Sequence, residues 1–88
     1  MCCMFHNCIK FNKPLNYWNL DNLENISGIF FNCKNFNQNI NNWNVNNVVN
    51  MISVFSFCEK FDQPLNNWNI SRVQEFHCMF YYCLDFNQ

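Results

Sequence analysis

Cys8, Cys33, Cys58 and Cys83 stand twenty-five residues apart, and thiols in so regular a column suggest two chemistries, a ladder of metal ligands or a set of disulfides. Their place in the sequence pattern argues for neither. Each falls on the inward side of an apolar stripe, where a free cysteine acts as a small hydrophobe, and neighbouring helices would hold the Cα atoms beyond the ~7 Å that a disulfide spans. The chain has seven cysteines, an odd number that cannot all pair internally, so reduced thiols fit better than a secreted disulfide framework.

Two further groups of soft ligands sit at the ends: Cys2, Cys3, His6 and Cys8 at the start, and His77, Cys78 and Cys83 near the close. Neither has the Cys-x-x-Cys spacing of a zinc site, and strand spacing places the groups on the order of 15 Å apart. No metal ligand is assigned. Acylation of Cys2 or Cys3 is a weak alternative. The acids Asp21, Glu24, Glu59, Asp62, Glu75 and Asp85 include no pair on neighbouring inward positions, and general acid/base work needs a desolvated, oriented group. His77 and Cys78 are adjacent, and adjacent helical residues do not face one another. The reading is therefore of a chain with no catalytic residue, no cofactor and no small-molecule substrate.

The element that positions these residues is a repeated unit. Phe5, Phe30, Phe55 and Phe80 keep the twenty-five-residue interval, and Phe11-Asn12-Lys13-Pro14-Leu15-Asn16-Tyr17-Trp18-Asn19-Leu20 returns at 36–45 and 61–70 with few changes. Such a period means one supersecondary unit copied so that neighbours bury what it cannot bury alone. The chain reads as a single array over 1–88, about 3.5 copies, incomplete at both ends.

Within a unit the apolar spacing changes. Leu15-x-x-Trp18-x-Leu20, Ile40-x-x-Trp43-x-Val45 and Leu65-x-x-Trp68-x-Ile70 end on a period of two, which predicts short strands over 17–20, 42–45 and 67–70. Leu23, Ile26, Ile29, Phe30 and Cys33, with their counterparts at 48–58 and 73–83, step by three and four, which predicts helices of about three turns. Asp21, Asn46 and Ser71 precede those stripes as N-caps, with Glu24 and Gln74 at capping-box spacing. The expected fold is an α/β solenoid: a right-handed, leucine-rich-repeat-like stack with parallel strands on the concave side and short helices on the convex side, bent into a horseshoe segment.

With Leu-x-x-Trp-x-Leu where leucine-rich repeats carry Leu-x-x-Leu-x-Leu, and with the run Phe61-Asp62-Gln63-Pro64-Leu65-Asn66-Asn67-Trp68-Asn69, the chain resembles the BspA-like leucine-rich-repeat surface proteins. Members are surface or secreted adhesion and host-interaction proteins of bacteria and parasitic protists, with look-alikes encoded by large DNA viruses. The resemblance implies a non-enzymatic recognition scaffold at a cell surface.

The expected binding face is the outer side of the strands, where Tyr17, Asn42 and Asn67 form one row and Asn19, Asn44 and Asn69 another. The partner is a protein, or a second copy stacking end to end through uncapped terminal coils; the other readings are a fragment of a longer array, a marginal chain with exposed sheet edges and, least favoured, a zinc or thiol protein. With 12 % charged residues and a net charge of -1, the chain lacks the basic footprint of nucleic-acid or anionic-lipid binding. No segment approaches the ~20 apolar residues of a membrane span, and Met1–His6 lacks the form of a secretory leader. Reduced thiols and no leader point inside a cell, whereas the family resemblance points to its surface.

Overall fold

The computed structural model describes residues 5–15, 18 and 20–88. Its building block is the β-turn. Within one copy, backbone N–H groups donate three residues back in Ile26–Ile29, Gly28–Phe31, Phe30–Cys33 and Cys33–Phe36, at 2.9–3.2 Å. The intervening N–H groups leave the copy altogether: Ile26, Gly28, Phe30 and Asn32 donate to the carbonyls of Asn50, Ile52, Val54 and Ser56, at 2.8–3.2 Å. Met51, Ser53, Phe55 and Phe57 repeat this toward Glu75, His77, Met79 and Tyr81.

This alternation overturns the expected α/β solenoid. Among the described residues there is no helix, and extended pairing is confined to the isolated parallel bridges Asn25↔Asn50 and Asn50↔Glu75. A helix needs an unbroken series of negative φ values with every N–H bonded four residues back. Here φ is positive at Gly28 and Asn32, at Ser53 and Phe57, and at Cys78 and Tyr82, all between 57° and 61°. Each of these is the third residue of a four-residue turn, where a type II turn demands the left-handed region. Consecutive turns place their inward corners three or four residues apart, which is also the spacing of a helical face. The spacing thus marks the apolar stripe without revealing its backbone, and Asp21, Asn46 and Ser71 cap no helix.

The expected strands fail for a different reason. Tyr17 and Asn19 of segment 17–20 lie outside the described residues, while 42–45 and 67–70 form no ladder. Two residues ahead of those segments, side chains join the copies instead: the indole Nε1 of Trp43 donates to the Leu15 carbonyl at 3.0 Å, and that of Trp68 donates to the Ile40 carbonyl at 2.9 Å. The same carbonyls also accept a turn bond, from the backbone N–H groups of Trp18 and Trp43. Asn41 links copies in place of a strand, its Nδ2 donating to Asn66 Oδ1 and its Oδ1 accepting from the Asn67 N–H.

Aromatic rings fill the interior between copies. Phe5, Phe30, Phe55 and Phe80 stack at 5.6–5.8 Å between centroids, and Phe11, Phe36, Phe61 and Phe86 at 5.7–5.9 Å. Offset stacks of this kind add ~0.5–1.5 kcal/mol per pair beyond area burial. Ile26, Met51, Val48 and Val54 complete a continuous core. The radius of gyration is 11.6 Å, within extents of 28 × 26 × 24 Å. About 12 Å is what a compact domain of this length shows, so the molecule is a compact body, not a curved horseshoe.

Candidate interaction surface

Three thiols of the column, those after Cys8, bind backbone carbonyls. Cys33 Sγ donates to the Phe5 carbonyl at 2.8 Å, Cys58 Sγ to that of Phe30 at 2.9 Å, and Cys83 Sγ to that of Phe55 at 2.8 Å. Burial pushes the Cys33 thiol up from 9.0 to about 12 and the Cys83 thiol up to about 11. The same desolvation, with the neighbouring thiols Cys33 and Cys83 adding to it, drives Cys58 higher still. A protonated thiol that donates to a carbonyl is neither a nucleophile nor a metal ligand. Among the described residues no three His, Cys, Asp or Glu side chains gather to hold an ion. Cys2 and Cys3 lie outside the described residues, and the exposed His6 ring stacks on Phe31 at 4.6 Å.

The asparagine rows divide. Tyr17 and Asn19 lie outside the described residues. Asn42, Asn44, Asn67 and Asn69 are all exposed, but Asn44 and Asn69 spend their side-chain oxygens on turns, accepting from the N–H groups of Asn46 and Ser71 at 3.0 and 3.1 Å. Asn44 Nδ2 also donates to Asp21 Oδ1. An asparagine that closes an Asx turn is part of the backbone's own bonding.

A second amide row escapes sequence reasoning. Asn12 Oδ1 accepts from the Asn37 N–H and Gln38 Nε2, Asn37 Oδ1 from the Asp62 N–H and Gln63 Nε2, and Asp62 Oδ1 from the Asn87 N–H and Gln88 Nε2, at 2.9–3.1 Å. Its signal is an oxygen-bearing residue followed by Gln at the repeat interval, submerged in a chain full of asparagine.

The surface that departs most from an ordinary exterior is the end formed by 64–88. Ile70 is 57 % exposed where Val45 and Leu20, at the same place in their copies, are 1–2 % exposed. Phe76 is 63 % exposed against 1 % for Met51, and Phe80 37 % against 0 % for Phe55. A groove of about 630 Å³ runs across this end, floored by Trp68 and Met79 and walled by Leu65, Ile70, Phe76 and Phe80. Among the described residues no charged side chain lines it; Asn66 and Gln88 are its polar members. In this fold an apolar residue of one copy packs under the next, as Phe30 does under Phe55 and Phe55 under Phe80.

A family model described as "Mycoplasma protein of unknown function, DUF285" matches residues 1–88. The chain belongs to that family. No curated protein and no solved structure shows detectable similarity to it. Among the described residues, no helix is long and apolar enough to cross a membrane.

Proposed function

We propose that this DUF285 chain is a non-enzymatic recognition module that binds protein through the exposed apolar surface of 64–88. The observation carrying this reading is the contrast along one sequence position. Residues buried completely in earlier copies stand one-third to two-thirds exposed at the end, contiguous, uncharged and grooved. Contiguous apolar patches of this kind mark sites of association. Neutral Asn66 and Gln88 supply hydrogen-bonding groups within the groove. The thiols, protonated and committed to carbonyls, support a structural role for the groups with most chemical potential.

The test uses bis-ANS, a dye that fluoresces on apolar protein surface. Wild-type protein brightens it; Phe76→Asp abolishes most of the signal, whereas Asn42→Ala with Asn67→Ala leaves it unchanged. A signal insensitive to Phe76→Asp overturns the reading.

A further inference from the structure

We infer that the molecule carries a second site, a cleft along the side of the stack that binds a zwitterionic quaternary-ammonium group of the phosphocholine type. The cleft has a volume of about 360 Å³ and is lined by Phe31, Asn32, Lys34, Phe57, Glu59 and Tyr82, drawn from three successive copies. It shares no residue with the apolar groove of 64–88, so its failure leaves the reading above untouched. The first observation is a strained backbone. Asn7, Asn32, Phe57 and Tyr82 hold one place in four copies, all left-handed, with φ of 59–63°. Asparagine tolerates that region, whereas a bulky aromatic residue there is an outlier, and residues so held gather at ligand sites. In the first two copies the column is an amide ladder, Asn32 Nδ2 donating to Asn7 Oδ1 at 3.0 Å. In the next two it becomes a ring pair, Phe57 against Tyr82 at 5.4 Å and 18°. The core gains nothing by the change. Neither Phe31 nor Phe57 belongs to it, and both stay half-buried although a described copy lies on either side of each.

The occupant follows from the chemistry of the lining. Phe31 meets Phe57 at 5.6 Å and 73°, and Tyr81 meets Phe57 at 5.4 Å and 86°, so ring planes lie nearly at right angles beside the cleft. Aromatic rings gathered at such angles receive a quaternary ammonium, which their negative faces attract. Glu59 adds a full negative charge. A primary ammonium would bring three hydrogen-bond donors, and the side chains of the cleft offer few acceptors, Glu59, Asn32 and the Tyr82 hydroxyl; N-methyl groups need none. Lys34 supplies the opposite charge, a compact ammonium suited to a phosphate. Lys34 and Glu59 hold the same place in neighbouring copies, which the Lys60 N–H joins by donating to the Lys34 carbonyl at 3.1 Å. Those copies stand 5.8 Å apart at the rings of Phe30 and Phe55, a separation of the order that a two-carbon bridge spans between phosphate and nitrogen. The paired charges also discriminate, since Lys34 repels a simple cation and Glu59 a simple anion.

Saturation-transfer NMR titrations with phosphocholine, choline and inorganic phosphate test this. The wild type is expected to bind phosphocholine about tenfold more tightly than choline, the difference being the charge-assisted bond to Lys34, and to show no signal for phosphate alone. Phe57→Asn restores the residue that earlier copies hold and extends the amide ladder from Asn32. It is expected to weaken phosphocholine binding about tenfold while the urea midpoint stays level or rises. Lys34→Gln is expected to bring phosphocholine down to the level of choline, and Glu59→Gln to weaken both; neither residue is buried, so the fold is spared. Phosphocholine free in solution and phosphatidylcholine vesicles distinguish a soluble group from a lipid headgroup, and capture of either supports the cleft. A wild type that captures neither overturns the proposal, as does choline bound as tightly as phosphocholine or a Phe57→Asn chain that binds unchanged. A Phe57→Asn chain whose urea midpoint falls as far as that of Phe55→Ala overturns it too, by marking the ring as packing.

Discussion

Phe55 and Phe80 occupy the same place in successive copies, and replacing each with alanine isolates what a covering copy contributes. The Phe55 ring is fully buried and meets four other aromatic rings, Phe61 at 4.3 Å, Phe80 at 5.6 Å, Phe30 at 5.8 Å and Trp68 at 6.0 Å. Truncating a phenylalanine so enclosed costs ~3–5 kcal/mol, of which the cavity left behind is a substantial part. A domain of 88 residues has in total only roughly 4–13 kcal/mol to lose. Phe80 is 37 % exposed and meets Phe55 and Phe86 alone among the described aromatic rings. With one side open there is no enclosed cavity, and its loss costs about 1 kcal/mol. At ~4–8 °C per kcal/mol for a chain of this size, Phe55→Ala lowers the unfolding midpoint by ~15–30 °C and Phe80→Ala by roughly 5 °C. Urea titration followed by tryptophan fluorescence measures both, with Phe55→Leu as a milder control. Costs that agree within about 1 kcal/mol would refute the reasoning, since the two sites would then be packed alike.

Two other expectations concern the backbone and the thiols. Gly28 and Ser53 share a turn position at φ 61° and 57°, so Gly28→Ala is expected to destabilise by about 1 kcal/mol and Ser53→Gly to stabilise by about 0.5 kcal/mol in the same titration, the glycine's unfolded-state entropy offsetting part of the gain. Cys33 and Cys83 have folded pKa values raised above the ordinary 9.0, to about 12 and about 11. Their contribution is complete below pH 9 and is lost as pH rises through the window from 9.0 to these values, because only the unfolded chain releases the protons there. The urea midpoint is expected to fall across that window in the wild type and to fall less in Cys33→Ala; a flat profile contradicts the buried thiols.

Much of the interior is legible in the residue pattern alone. The positions that step by three and four, Ile26, Ile29, Phe30 and Cys33 with their counterparts, are the core, because burial follows side-chain chemistry whatever the backbone does. The element type is not legible, since tandem turns and a helix place apolar corners at the same intervals. What separates them is a left-handed residue in the middle of each stripe. Gly28 and Asn32 advertise it, but Ser53, Phe57, Cys78 and Tyr82 hide it in the other copies. The N-cap reading of Asn46 and Ser71 fails for a related reason: their N–H groups are received by Asn44 and Asn69, as an Asx turn requires, and both signals use the same residue types.

Amide hydrogen exchange tests the central claim most directly, that turn-built copies lie in register and bond one another through their backbones. The Phe30, Asn32, Phe55 and Phe57 amides donate across copies and should exchange slowly, while those of Phe80 and Tyr82 exchange fast. Phe55 and Phe57 exchanging as fast as Phe80 and Tyr82 would contradict it.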